Sequence, residues 1–300
     1  MTRSILLGAI LTVGAFSMAV SGSQAPPAGP KVIDIQKLTD NLYVLTSSSP
    51  SLGPAFSGGN VAVFITDAGV TLVDTKLAGW GQAVLDKVKG VTSKPVTTII
   101  NTHTHGDHTG NDGFFGTAVD IIAHENTKTN MEKMDAFKGE NAKFLPKKTY
   151  KDKMSIGAGK DRIDLYYFGA AHTGGDTFVV FPALRVLHTG DAFAWKDAPL
   201  CDRNNGGSCV AFPDTLAKVL AGIKDVDTVI PGHSPVTKPA DVQQYQHFMT
   251  DLLAETRAAI AAGKTVDEAV AASHVTEKYA GYKTERLKGA VQAIYDELKK

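Results

Sequence analysis

Ten residues, Asn101-Thr-His-Thr-His-Gly-Asp-His-Thr-Gly110, set the terms for the rest of this chain. They place His103, His105, Asp107 and His108 within six positions. Three imidazoles and a carboxylate this close are costly to bury unpartnered, and they crowd like charges when protonated. A divalent cation removes both penalties, because neutral imidazole and carboxylate suit an ion such as zinc. The preceding run, Val96 to Ile100, reads as a buried strand. The motif then falls on the loop leaving a strand, where α/β proteins carry their chemistry. A polar loop with chance histidines is the bland alternative, and the residues downstream weigh against it.

Three more clusters share that placement. Ala170-Ala-His172-Thr-Gly-Gly-Asp176 follows an apolar β-run, as do His188-Thr-Gly190-Asp191 and Ile230-Pro-Gly-His233. One strand-end ligand means little; four at equivalent places are hard to explain by packing. His188 lies inside a strand and reads as a packed histidine. His124, ending the run Val119 to Ala123, also reads as structural. His247 and His274 read as ordinary helix or surface residues. Asp176 reads as a loop-orienting carboxylate and Asp74, at another strand end, as a support for the ligands. Ser57, Asn60, Trp195 and Asn205 are candidate groove residues.

The motif His103-x-His105-x-Asp107-His108, followed by His172, Asp191 and His233, resembles the metallo-β-lactamase superfamily of metallohydrolases. The resemblance runs from about residue 33 to residue 235. It implies an α/β protein with an αββα sandwich, here with C-terminal helices, and two metals between the sheet edges. It implies that His103, His105 and His172 hold the first metal, that Asp107, His108 and His233 hold the second, and that Asp191 bridges them. Three neutral ligands leave an ion electrophilic, and a water on such an ion ionises near pH ~7. Asp107 beside that water could orient it or accept its proton. The expected activity is hydrolysis of a small-molecule ester, thiolester, lactone or amide by metal-bound hydroxide, with two Zn²⁺ ions. Iron and manganese share these ligands.

Departures within the superfamily bear on the substrate. One subclass of zinc β-lactamases carries Cys where this chain has Asp191, and the His-x-His-x-Asp-His subclass normally lacks a bridging Asp. Asp191 in Thr-Gly-Asp is more like glyoxalase II, which cleaves thiolesters, and like lactone-cleaving relatives. A β-lactam-hydrolysing enzyme stays open as an alternative. So does an iron-dependent sulfur oxidoreductase similar to the persulfide dioxygenases. The flavodiiron pattern is disfavoured, because it has Glu where Thr104 stands.

Composition bounds the partners. Lys and Arg balance Asp and Glu, the pI is about 7.1, and no basic stripe marks a nucleic-acid partner. The apolar fraction of 43% and charged fraction of 21% describe an ordinary globular chain. Only the N-terminus departs from this. Arg3, the uncharged run Ile5 to Val20 and the small residues Ser21 to Ala25 are laid out as a secretory signal peptide. The expectation is a signal over 1–25, a single domain over 26–300, a periplasmic or secreted location and no lasting membrane insertion. Cys201 and Cys209 are the only cysteines. In an exported protein they could close a small disulfide loop, a free pair being the alternative.

The remaining pattern predicts elements. Val32 to Leu45 reads as one weak edge strand, and Val61–Ile65 with Val70–Val73 as a hairpin. Helices are predicted over 80–88, 125–137 and 215–223, and from Asp241 to the end. Strands are predicted over 119–123, 154–156, 163–168, 177–181, 186–188 and 226–230. Two β-rich halves with their own helices suggest two sheets face to face, helices outside.

Overall fold

A computed structural model describes residues 33–47 and 55–299. The expected signal peptide over 1–25 lies outside the described residues. Two sheets form the centre. The first has the order β1 (Ile33–Lys37), β2 (Leu42–Ser47), β3 (Val61–Thr66), β4 (Gly69–Val73), β5 (Val96–Ile100), β6 (Asp120–His124), β7 (Lys148–Tyr150). It is antiparallel up to β4 and parallel from β4 to β7. The second sheet comprises β8 (Lys153–Ile156), β9 (Ile163–Tyr166), β10 (Phe178–Phe181), β11 (Val186–Gly190) and β12 (Thr228–Pro231). Its spatial order is β12-β11-β10-β9-β8, with only the β11–β12 pair parallel.

The strands are apolar on both faces because both faces are covered. In β3, Ala62 and Phe64 point between the sheets while Val61 and Val63 point outward. In β10, Val179 and Phe181 point inward and Phe178 and Val180 outward. Phe64 meets Phe181 across the sandwich at a centroid distance of 5.1 Å. Each such side chain contributes about 1.5–3 kcal/mol when buried. The outer face of the first sheet is covered by Trp80 and by Val84 and Val88 of α1 (Gly81–Lys89). The chain is thus an αββα sandwich with C-terminal helices.

Between β5 and β7 lie a one-turn α2 (Gly106–Thr109) and α3 (Glu125–Met131). The second sheet's outer face is covered by α4 (Phe212–Gly222), α5 (Pro239–Ala261), α6 (Val266–Ala271), α7 (Val275–Lys278) and α8 (Leu287–Leu298). In α5 the stripe Val242, Tyr245, Phe248, Met249, Leu252, Thr256, Ala259 is buried at helical spacing. Thr265 and Glu268 form a capping box that starts α6. Among the described residues, no helix is long and apolar enough to cross a membrane.

Three expectations need correcting. The single strand expected over Val32 to Leu45 is, within the described residues, two antiparallel strands, β1 and β2, because Thr39, Asp40 and Asn41 turn the chain and Thr39 Oγ1 accepts from Leu42 N. The helix expected over 125–137 stops at Met131. The backbone is extended at Met134, and that bend drives Phe137 into a buried position. Finally, a short strand, β7, follows Pro146 where the sequence pattern predicted no element.

Candidate metal centre

Strand direction assembles the site. β4 and β5 run parallel, and their C-terminal ends carry Asp74 and the histidine motif. In the second sheet β9, β11 and β12 share one direction and lead to His172, Asp191 and His233. Both sheets therefore deliver side chains to one edge of the sandwich. Two glycines allow the close approach. A Cβ on Gly59 would lie 2.1 Å from the His108 ring, and one on Gly232 would lie 1.8 Å from Asp191 Oδ1.

All seven residues expected as ligands meet there. His103, His105 and His172 offer ligand atoms to one another, as do His103, His108 and Asp191, and Asp107, His108 and His233; within each set these atoms lie within 4.8 Å. His172 Nε2 is 2.9 Å from His105 Nδ1. Asp191 reaches both groups: its carboxylate is 3.2 Å from His108 Nε2, 3.2 Å from His233 Nε2 and 3.7 Å from His172 Nε2. Asp107 Oδ2 is 3.3 Å from His233 Nε2.

The outward nitrogens explain the inward ones. His105 Nε2 meets Asp202 Oδ2 at 2.7 Å, and His172 Nδ1 meets the Leu200 carbonyl at 2.7 Å. His108 Nδ1 meets Asp74 Oδ2 at 2.7 Å, while His103 Nδ1 lies 3.0 Å from Thr102 Oγ1. Where the outer partner is a carboxylate or carbonyl, the outer nitrogen carries the proton and the inner one keeps a free lone pair. Asp74 is itself fixed by Thr102, which donates from its backbone N at 2.8 Å and from Oγ1 at 2.7 Å.

Residues of this chemistry fit a metal. His103 Nε2 is buried, faces the cluster and has no hydrogen-bond partner among the described residues. A buried lone pair with no donor is costly. With the outer nitrogens of His105 and His172 protonated toward Asp202 and the Leu200 carbonyl, their inner lone pairs face each other at 2.9 Å, and a cation bound between them would relieve that repulsion.

Electrostatics divides the cluster. Burial pushes His172 down to about 4 and His103 well below the ordinary histidine range, so both are neutral. For His108 and His233 burial pulls downward, but Asp191 and Asp107 overcome it and raise both. For Asp107 burial works upward, yet His108 and His233 hold it at about 2. Asp191 is likewise held well below the carboxylate range, burial being overcome by His233 and His108.

The remaining readings also find their places. His188 is buried within β11, and His124 caps α3 by accepting from Asn126 N. His247 and His274 are exposed. Asp176 accepts from Thr173 N and Oγ1, bracing the loop. Trp195 stacks near His233 at 4.9 Å, with the Arg286 guanidinium 3.9 Å over its ring. Asn60 is buried and holds the Pro231 and Ser234 carbonyls, so it shapes the His233 loop and does not line a groove. Ser57 is buried as well, and Asn205 binds Asp202 at 2.6 Å. Cys201 and Cys209 form a disulfide.

Two residues escaped the sequence reading. Asp202 gives no spacing signal, because its partner His105 lies 97 residues away. Lys76 is buried with Nζ 3.5 Å from the Gly58 carbonyl; burial brings it down to about 7 against the pull of Asp107 and Asp74.

The fold and the site together define a metal-dependent hydrolase. The family model of the metallo-beta-lactamase superfamily matches residues 55–233, and the chain belongs to that superfamily. It is 28% identical over 195 residues to the metallo-beta-lactamase type 2 of Elizabethkingia meningoseptica, covering 62% of this chain and 71% of that protein. It is 25% identical over 202 residues to the metallo-beta-lactamase type 2 of Bacteroides fragilis, covering 67% and 79%. Among solved structures, metallo-beta-lactamase IND-7 aligns with a TM-score of 0.63 at 22% identity, covering 74% of this chain and 99% of that one. A metallo-beta-lactamase from Pontibacter korlensis aligns at 0.62 with 18% identity, covering 73% and 99%. These two likenesses concern the fold.

Proposed function

We propose that this chain is an exported two-zinc hydrolase acting on a small-molecule ester, thiolester, lactone or amide. In this reading residues 1–25 are a secretory signal and 26–300 form a single domain that works in the periplasm or outside the cell. His103, His105 and His172 hold the first zinc, and Asp107, His108 and His233 the second, with Asp191 between them. The observation that carries the reading is the all-histidine triad His103, His105 and His172, anchored from outside and joined through Asp191 to the set Asp107, His108 and His233.

Zinc held there supplies a Lewis acid and a water that ionises near pH ~7. The chain's own residues do the rest. His105 and Asp107 are the most open of the seven, with side chains 23% and 24% exposed, so the substrate approaches over them. Asp107 is ionised at neutral pH, and its carboxylate can orient a water or accept its proton. Asp191, buried between the two histidine groups, keeps their spacing fixed. Phe56 and Trp195 stack about His233 and screen that side from water.

Among amides, β-lactams have specific support, since the Elizabethkingia and Bacteroides relatives are metallo-beta-lactamases. The carboxylate at 191 favours the thiolester and lactone side of the range. One purified sample tested against β-lactams, thiolesters and lactones, with its metal measured, separates these readings. Zinc with hydrolysis supports the proposal. Iron with oxygen uptake would replace it by sulfur oxidation.

A further inference from the structure

The family match ends at residue 233, yet the last helix reaches back to the centre. The loop between Cys201 and Cys209 carries Asp202, which holds His105 Nε2 at 2.7 Å. Just before the loop, the Leu200 carbonyl accepts from His172 Nδ1 at 2.7 Å, and Asp202 N donates to the His172 carbonyl at 2.8 Å. One short segment therefore orients two of the three histidines of the first group.

That segment is gripped by α8. Glu297 Oε2 accepts from Ser208 Oγ at 2.5 Å, and Oε1 accepts from Cys209 N at 2.8 Å. Asp296 pairs with Arg203 at 3.2 Å. Between the loop and α8 lies a cavity of about 330 Å³, lined by His105, Leu200, Asp202, Gly289, Gln292 and Ala293. Two of the three histidines, His105 and His172, thus have their outer support in or directly before a disulfide-closed loop whose own support is the C-terminal helix.

We infer that Glu297, acting through the Cys201–Cys209 loop and Asp202, is a positioning residue for the first metal site. This rests on the ligand assignment proposed above. Orientation of a ligating histidine by its outer hydrogen bond typically governs metal affinity by about 10–100-fold. A clamp at one oxygen pair on α8 reaches both His105 and His172, and touches none of Asp107, His108 and His233. Its loss should weaken one metal site and spare the other.

The test is competitive zinc titration of metal-free full-length protein, comparing wild type with Glu297→Ala, Glu297→Gln, Asp202→Ala and Asp202→Asn. Glu297→Ala and Asp202→Ala are expected to weaken one of two zinc sites about 10–100-fold, with the other unchanged. Glu297→Gln and Asp202→Asn keep an accepting oxygen and should recover part of that loss. Excess zinc should restore turnover to Glu297→Ala. Unchanged affinity at both sites in Glu297→Ala would overturn the inference, whatever the Asp202 variants do, and leave the two-zinc reading intact. Loss of both sites together would also overturn it, because the clamp would then serve only the fold. A wild type binding fewer than two zinc ions would sink the reading itself, and the inference with it.

Discussion

The two ligand groups touch each other but are held by opposite electrostatics. His103, His105 and His172 include no carboxylate, and burial keeps His103 and His172 neutral before any metal arrives. Their supports are a hydroxyl, a carboxylate and a carbonyl on the outside of the rings. Asp107, His108 and His233, with Asp191, form a knot in which the carboxylates raise the proton affinity of both histidines. The first group is a carboxylate-free donor set, and an ion held there would be electrophilic. In the second, an ion would compete with protons that the carboxylates favour, and would be suited to holding a substrate oxygen.

The comparison breaks most sharply at His105. In His105→Ala the histidine triad loses a member, and kcat/KM should fall by about a thousandfold or more, several kcal/mol of charge stabilisation being lost. Zinc content should fall by one equivalent, the second group staying loaded. Retained turnover in steady-state assays, or in metal-stripped protein, would sink the mechanism. Asp191→Ala comes next, because the Asp191 carboxylate lies against members of both groups. It should weaken both zinc sites in titration, where His105→Ala weakens one.

Asp74 sharpens the second side. It holds His108 Nδ1 as Asp202 holds His105. Asp74→Asn should cost the second site about 10–100-fold in zinc affinity, with the first unchanged. An equal loss at both would erase the distinction between the two groups.

Acid should separate the groups too. The pKa values of His108 and His233 are raised in the metal-free protein, so each must release a proton to bind. Affinity at their site then falls as pH drops below those raised values. His172, at about 4, imposes no such cost near neutrality. Zinc titrations from about pH 8 to about pH 5.5 should lose the second site first. The reverse order would show that the ion pairs are not what metal entry breaks. The smallest effect is expected at the disulfide. Cys201→Ser with Cys209→Ser should lower unfolding stability by at most about 2–3 kcal/mol for so short a loop, measured by denaturant titration.

The seven candidate ligands, which the fold brings together, were legible in the sequence because metal chemistry admits few residue types and each candidate follows a strand. The sandwich was legible because strands such as Val61–Ile65 are apolar at every position, which fits only a doubly covered sheet. Supports were less so. Asp74 showed through its strand-end position, whereas Asp202 did not, since a lone aspartate in a loop acquires its meaning only when His105 folds against it. Helix ends were lost for a similar reason: nothing local after Met131 announces that Phe137 must turn inward. The role of α8 depends on contacts 88 and 89 residues apart in sequence and therefore has no local signature.

The central claim is that seven residues make two distinct metal sites. Zinc stoichiometry by titration, on wild type and His105→Ala side by side, tests it most directly. Two equivalents are expected per wild-type chain and one in His105→Ala, the survivor weakening in acid. A single equivalent in the wild type, or two tight equivalents in His105→Ala, would contradict it.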